Sequence, residues 1–162
     1  MSLAQVGAIE YVFKPVQIAE IIDDAITDMI PLVNEKNLTI RKDVPDGLPD
    51  IKGDRDKLTD LFTHLIDNAV KFTPSGVITV EAHEVEDGIH IKVSDTGIGV
   101  ARDVIPKLFQ KFYQVDPSIR RKYGGTGLGL YICKTIVDAH NGNIWVESEE
   151  NVGTTVHVKL PG

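Results

Sequence analysis

The chain has 162 residues, enough for one domain with a sizeable core, and its 42% hydrophobic and 25% charged composition is ordinary for a globular protein. A net charge of −7 argues against a general nucleic-acid surface, and no apolar run nears the roughly 20 residues of a membrane-spanning helix. A single cysteine, Cys133, excludes disulfides within the chain and suits a reducing, cytoplasmic compartment, and the first residues lack the pattern of a signal peptide.

Residues 1–11 read as vector remnant or linker, with one domain expected over 12–162. Tyr11-Val12-Phe13 fits a short strand. From Val16 to Asn34 apolar residues recur at helical spacing, with Pro31 as an expected kink or break. Leu38-Thr39-Ile40 reads as a strand. The clearest helix covers 54–72, where Asp54 suits the N-cap and Leu58, Leu61, Phe62, Leu65, Ile66, Ala69 and Val70 form a broad apolar stripe. Val77–Ala82 and Ile89–Asp95 alternate like half-buried strands, joined through Asp87-Gly88 as a hairpin. A short helix is expected over roughly 101–110, then a polar, glycine-containing stretch over 114–127. A helix from about Gly127 to His140 ends at Gly142, a fitting C-terminal glycine, and strands follow at 143–148 and 154–160. This order predicts an α/β, two-layer α+β sandwich, with a mixed, mainly antiparallel sheet covered on one face by about three helices.

The stripe of the 54–72 helix accounts for its burial and leaves His64, Asn68 and Lys71 to be explained. Spaced four and three apart, they stack on one side of the helix. An amide oxygen beside an ammonium suits a magnesium ion and the phosphates it bridges; a solvated helix face is the plainer alternative. On the strand 89–95, Asp95 shares parity with Ile89, Ile91 and Val93, so it points inward. A carboxylate there needs a donor, and an adenine amino group is one; capping of the following turn is the other use of Asp before glycine. The loop Thr96-Gly97-Ile98-Gly99 lets a ligand approach the backbone closely. Gly124-Gly125-Thr126-Gly127-Leu128-Gly129-Leu130 opens an apolar helix, a place for an anion or simply a close-packed turn. Arg120, Arg121 and Lys122 lie in the stretch ahead of it, which looks like a lid anchored by Phe109, Phe112 and Tyr113. Thr154 shares parity with Val156, Val158 and Leu160, which directs its hydroxyl toward the pocket of Asp95.

In this order the elements resemble the catalytic, ATP-binding domain of sensor histidine kinases, within the ATPase group that includes gyrase, Hsp90 and MutL and shares a Bergerat-type fold. The asparagine box resembles Leu61-Phe62-Thr63-His64-Leu65-Ile66-Asp67-Asn68-Ala69-Val70-Lys71-Phe72-Thr73-Pro74. Asp95-Thr96-Gly97-Ile98-Gly99 is similar to the first glycine box, Leu108-Phe109-Gln110-Lys111-Phe112 to the phenylalanine box, and Gly125-Thr126-Gly127-Leu128-Gly129-Leu130 to the second glycine box.

The resemblance implies ATP and Mg2+ as cofactors, with Asn68 on magnesium, Lys71 on phosphate, and Asp95 accepting from the adenine amino group. Gly97, Ile98 and Gly99 would shape the pocket, and His64 and Phe72 would border the nucleotide. Gly125, Thr126, Gly127, Leu128, Gly129 and Leu130 would lie at the phosphates, Arg120 or Arg121 would meet the γ-phosphate, and Thr154 would support the adenine contact. It also implies, as partners, a histidine-bearing dimerisation domain and a response regulator receiver domain, with the isolated domain monomeric and no nucleic acid bound. Two departures stand out. Relatives carry asparagine at both ends of the Asn-x3-Asn pattern, whereas His64 holds the first place here, which alters the surroundings expected for magnesium. The gyrase branch places a water-activating glutamate at that position, so His64 argues against an efficient hydrolase. None of His64, His83, His90, His140 and His157 sits in the family's phosphoacceptor motif, so the isolated chain is expected not to phosphorylate itself. A non-catalytic nucleotide-binding module and an anti-sigma-type serine kinase stay open as other readings.

Overall fold

The computed structural model describes residues 10–109 and 130–162. In chain order it contains β1 (Lys14–Val16), α1 (Ile18–Glu35), β2 (Thr39–Asp43), β3 (Ile51–Gly53), α2 (Arg55–Lys71), β4 (Val77–Val85), β5 (Gly88–Asp95), a 3-10 turn (Ile105–Lys107), α3 (Leu130–Ala139), β6 (Asn143–Glu149) and β7 (Gly153–Pro161). The main sheet has the order β2-β4-β5-β7-β6, with β2 parallel to β4 and every other pair antiparallel. A small antiparallel pair, β1 and β3, stands apart from it. Among the described residues three helices share one core with the sheet, α2 between α1 and α3, as the periodicity predicts.

The register of the sheet decides where polar chemistry can sit. Ala82, Ile91, Val158 and Ile144 lie side by side across β4, β5, β7 and β6, and the rung two residues further on is Val80, Val93, Val156 and Val146. These rungs face the helices, where Leu61, Phe62, Leu65 and Ile66 of α2 are almost fully buried. One rung on, the pattern changes: Ile78, Asp95, Thr154 and Ser148 stand in a row. The helix-covered face therefore ends in three adjacent polar side chains. The other face carries His90, Lys92, His157 and the partly exposed Trp145.

Helices α1 and α3 end in the same way. At the C-terminus of α1, Asn37 has φ 57°, its amide donates to Asn34 O, and the Leu38 amide donates to Val33 O. After α3, Asn141 has φ 58°, its amide donates to Asp138 O, and the Gly142 amide donates to Val137 O. Left-handed asparagine thus takes the place predicted for Gly142, and the glycine is one residue too late to be the turn itself. The N-terminus of α2 is capped as predicted. Asp54 Oδ1 accepts from the Lys57 amide at 3.0 Å, and Oδ2 accepts from the Val12 amide at 2.8 Å. Its own amide donates to Nε2 of buried His140 at 3.0 Å, which places the His140 proton on Nδ1, 2.8 Å from Ile136 O. Burial works against the charged Asp54 carboxylate, but the Val12 and Lys57 amides and the nearby His140 and Lys57 hold its pKa below the ordinary value. That contribution to stability is present at neutral pH and is lost as the carboxyl protonates in acid. Asp54→Ala, which removes two hydrogen bonds at once, is expected to lower stability in urea denaturation by about 2 kcal/mol.

Four further expectations need correction. The strand near the start is Lys14–Val16 rather than Tyr11-Val12-Phe13; Tyr11 and Phe13 stack on each other and meet the His140 ring edge-on. α1 runs through Pro31 to Glu35 without ending, with the proline on its exposed side. The 77–95 hairpin turns at Glu86 and Asp87, and Gly88 already belongs to β5, paired with Val85. Over 101–109 there is only a 3-10 turn, because Pro106 has no amide to extend an α-helical ladder.

Candidate functional site

The polar rung at the sheet end is the centre of the site. Asp95 is half-buried, and its Oδ1 accepts from the Gly97 amide at 2.9 Å and from the Thr154 amide at 3.2 Å. Burial pushes its carboxyl up to about 6, against the pull of those two amides. Of the two readings of Asp95, the capping of the following turn is seen directly, through Oδ1. A carboxylate kept at this desolvation cost calls for a donor, which fits an exocyclic amino group.

The loop after Asp95 is stitched down on both sides. The Thr96 amide donates to Val77 O at 3.2 Å, while Thr96 Oγ1 accepts from the Val77 amide at 3.1 Å. The Ile98 amide donates to Phe72 O at 3.1 Å, Ile98 O accepts from the Asn151 amide at 2.7 Å, and the Val100 amide donates to Ser148 Oγ at 2.7 Å. The loop lies so close to its neighbours that a Cβ on Gly97 would stand 2.1 Å from Phe72 O, and one on Gly99 would stand 2.1 Å from Glu149 O. Gly99 also has φ 70°, a conformation that favours glycine. Beneath Gly97, Thr73 is fully buried and its hydroxyl has no partner among the described residues.

The second part of the site is on α2. His64, Asn68 and Lys71 form one column at one-turn spacing; His64 is exposed, and Asn68 and Lys71 are half-buried. Lys71 Nζ pairs with Asp67 at 2.9 Å, an i,i+4 partner that the sequence displays and the reading above did not use. The C-terminus of α2 is closed by Lys36, whose Nζ donates to Val70 O at 2.5 Å and Lys71 O at 3.3 Å; burial lowers the pKa of that amine. Phe72 is buried and serves the site through its backbone carbonyl.

These pieces meet where β5 ends and α2 ends, joined by the 72–77 connection. The structure brings together Phe72, Asp95, Gly97, Ile98, Gly99 and Thr154. Leu130 is 2% exposed and belongs to the core at the start of α3. Phe109 packs against the core, the ordinary alternative to a lid anchor. Arg120, Arg121, Gly125, Thr126, Gly127, Leu128 and Gly129 lie outside the described residues, as do Phe112 and Tyr113. Ser148 was missed by the sequence reasoning, although it occupies the inward parity of Ile144 and Val146 on β6 and a polar residue there is a signal.

The donor chemistry suits a magnesium nucleotide. Among the described residues no three or more His, Cys, Asp or Glu side chains gather to hold a metal by themselves. Magnesium commonly takes one or two protein oxygens and completes its shell with water and phosphate, a role open to the half-buried Asn68 amide.

Comparisons with known proteins bear on the family and the fold. Residues 53–162 match the family described as histidine kinase-, DNA gyrase B-, and HSP90-like ATPase. The methyl sulfide methyltransferase-associated sensor of Methanosarcina acetivorans is 49% identical over 161 residues, 99% of this chain and 16% of that protein. Sensor histidine kinase WalK of Bacillus subtilis is 38% identical over 139 residues, 84% of this chain and 23% of that protein. The crystal structure of full-length ShkA in complex with AMPPNP superimposes with a TM-score of 0.84 at 32% identity, covering 98% of this chain and 33% of that one. The chain thus spans at most about a third of each of these relatives.

Proposed function

The chain belongs to the family of histidine kinase-, DNA gyrase B- and HSP90-like ATPases, and from that premise we propose that it is the ATP-binding catalytic domain of a sensor histidine kinase. In this reading it delivers the γ-phosphoryl group of ATP to a histidine of a dimerisation domain that precedes residue 12 in the parent protein. The phosphoryl group then passes to an aspartate of a response regulator receiver domain. Kinship with a sensor histidine kinase at 38% identity and the fold shared with an AMPPNP-bound relative support it. The observation that carries it is the end rung, where an apolar sheet face closes on a half-buried carboxylate braced by two backbone amides.

Asp95 accepts from the adenine amino group and so fixes the base, while Gly97, Ile98 and Gly99 let the ring lie against backbone. Asn68 offers its amide oxygen to magnesium and Lys71 its ammonium to phosphate, from one face of α2. Held by Asn68, a magnesium ion would supply charge neutralisation for the transferring phosphate. Arg120 and Arg121 are assigned to the γ-phosphate, and the amides of Gly125, Gly127 and Gly129 to the phosphate chain. In-line transfer needs positioning more than covalent chemistry, and the nucleophile comes from elsewhere, so no strong base is required in this domain. His64, exposed on the Asn68 column, would be the side chain to hydrogen-bond a water held by such a metal. The parent is placed in the cytoplasm or at the inner face of a membrane, and among the described residues no helix is long and apolar enough to cross one.

The test is calorimetry with a non-hydrolysable ATP analogue, with magnesium and again with a chelator. Binding is expected to strengthen with magnesium, and Asn68→Ala to remove most of that gain. Binding indifferent to magnesium would favour a nucleotide sensor without kinase activity, and absence of binding would overturn the reading altogether.

A further inference from the structure

The end rung holds a hydrogen-bond arrangement with one solution. Ser148 Oγ has three neighbours: the Val100 amide at 2.7 Å, Gly153 O at 3.0 Å and Thr154 Oγ1 at 2.9 Å. A serine hydroxyl has one proton and two lone pairs. The Val100 amide can only donate, so it occupies one lone pair. The Gly153 carbonyl can only accept, so it takes the proton. One lone pair is left for Thr154, whose hydroxyl must therefore be the donor in that pair. Thr154 then offers only acceptor capacity to anything else that meets it. Its backbone amide is committed as well, to Asp95 Oδ1 at 3.2 Å.

We propose that Ser148 is a positioning residue that sets the hydrogen-bond polarity of the base pocket by taking the Thr154 proton. With that proton committed, the two polar side chains that Ser148 faces across the rung, Thr154 and Asp95, both act as acceptors at neutral pH. Such a pair welcomes a purine edge that presents an amino group and turns away one that presents a carbonyl in the same place. The inference rests on the reading of Asp95 as the adenine contact and adds a cause for base selection. Without Ser148 the Thr154 hydroxyl is released to rotate and donate, which removes part of the barrier to a carbonyl-bearing base. Asp95 keeps its share of the selection, so the preference shrinks and does not vanish. A purely structural Ser148, bracing Val100 and Gly153, would instead weaken all nucleotides alike.

The experiment is calorimetry with non-hydrolysable analogues of ATP and of its inosine counterpart, both with magnesium. The two bases differ on that edge in two groups: the 6-amino group of adenine is a carbonyl in hypoxanthine, and N1, an acceptor in adenine, carries a proton in hypoxanthine. The proteins are the wild type, Ser148→Ala, Ser148→Thr, Thr154→Val and the double variant Ser148→Ala/Thr154→Val. The wild type is expected to prefer adenine, Ser148→Ala to reduce that preference roughly five- to tenfold, and Ser148→Thr to keep it. In the Thr154→Val background, Ser148→Ala is expected to change the preference no further, because both residues act through one proton. An unchanged preference in Ser148→Ala, with both affinities falling together, overturns the proposal. If Ser148→Ala does not fold, Thr154→Val alone decides: a preserved preference there overturns it equally. A wild type that binds neither analogue instead refutes the adenine reading on which the proposal stands.

Discussion

Asp95→Asn is expected to weaken binding of an ATP analogue about 100-fold while leaving the nucleotide-free domain at least as stable as the wild type. The asparagine carbonyl can keep both bonds that Oδ1 accepts, from Gly97 at 2.9 Å and Thr154 at 3.2 Å. Its NH2 group replaces the other carboxylate oxygen, so a donor now faces the adenine donor. Two opposed donors in a half-buried site cost roughly 3 kcal/mol, the equivalent of that loss in affinity. Stability moves the other way, because the variant has no buried charge. Burial holds the Asp95 pKa at about 6, against an ordinary 3.8. Above pH 6 the folded protein carries the charge at a cost of up to about 3 kcal/mol relative to the unfolded chain. Between pH 6 and 4 the folded form binds more protons than the unfolded form, so this carboxyl makes the domain more stable as pH falls. Nucleotide affinity follows the ionised form and should decline as pH falls through 6. Melting curves and calorimetry across pH 5–8, on wild type and variant, separate the two effects. A variant that melts lower than wild type at pH 7.5 would contradict the account.

Gly97→Ala should be strongly damaging to the loop. The new methyl would stand 2.1 Å from Phe72 O and 2.9 Å from Thr73 Oγ1. The Phe72 carbonyl cannot swing aside as a flexible side chain would, because it accepts from the Ile98 amide and belongs to the turn that ends α2. Relief has to come from moving the loop, which pulls the Gly97 amide off Asp95. A destabilisation of about 2 to 3 kcal/mol in urea is expected, with a parallel loss of analogue affinity. An alanine variant with wild-type stability and affinity would mean that the loop is looser than these contacts imply.

Much of this site was legible because two periods coincide with it. The 3.6-residue spacing of Leu58, Leu61, Leu65 and Phe62 defines α2 and sets His64, Asn68 and Lys71 aside as a separate column. The two-residue period of Ile89, Ile91 and Val93 extends to Asp95 and predicts its inward aim. Periodicity speaks only of faces, however, and not of neighbours. Nothing in the alternation of β7 says that it lies between β5 and β6, and only that placement puts Asp95, Thr154 and Ser148 in one row. Thr154 was expected to help through its hydroxyl; its amide reaches Asp95, and the hydroxyl turns to Ser148. The ends of helices misled for a local reason. Glycine is the commoner left-handed residue, yet Asn37 and Asn141 take that conformation here.

The position of β7 also bears on how the chain reaches its folded form. Hairpin β4–β5 and the α1–α2 pair join segments near each other in sequence, but the bond between Asp95 and Thr154 spans 59 residues. Contacts that close so long a loop come late, after the local ones have reduced the entropy to be lost. The base pocket is therefore a product of the last stage of assembly, when the β6–β7 hairpin docks along β5. A nucleotide has nothing to hold on a chain still short of that stage. Its effect falls on the reverse journey: it lengthens the lifetime of the finished domain and leaves the rate of reaching it untouched.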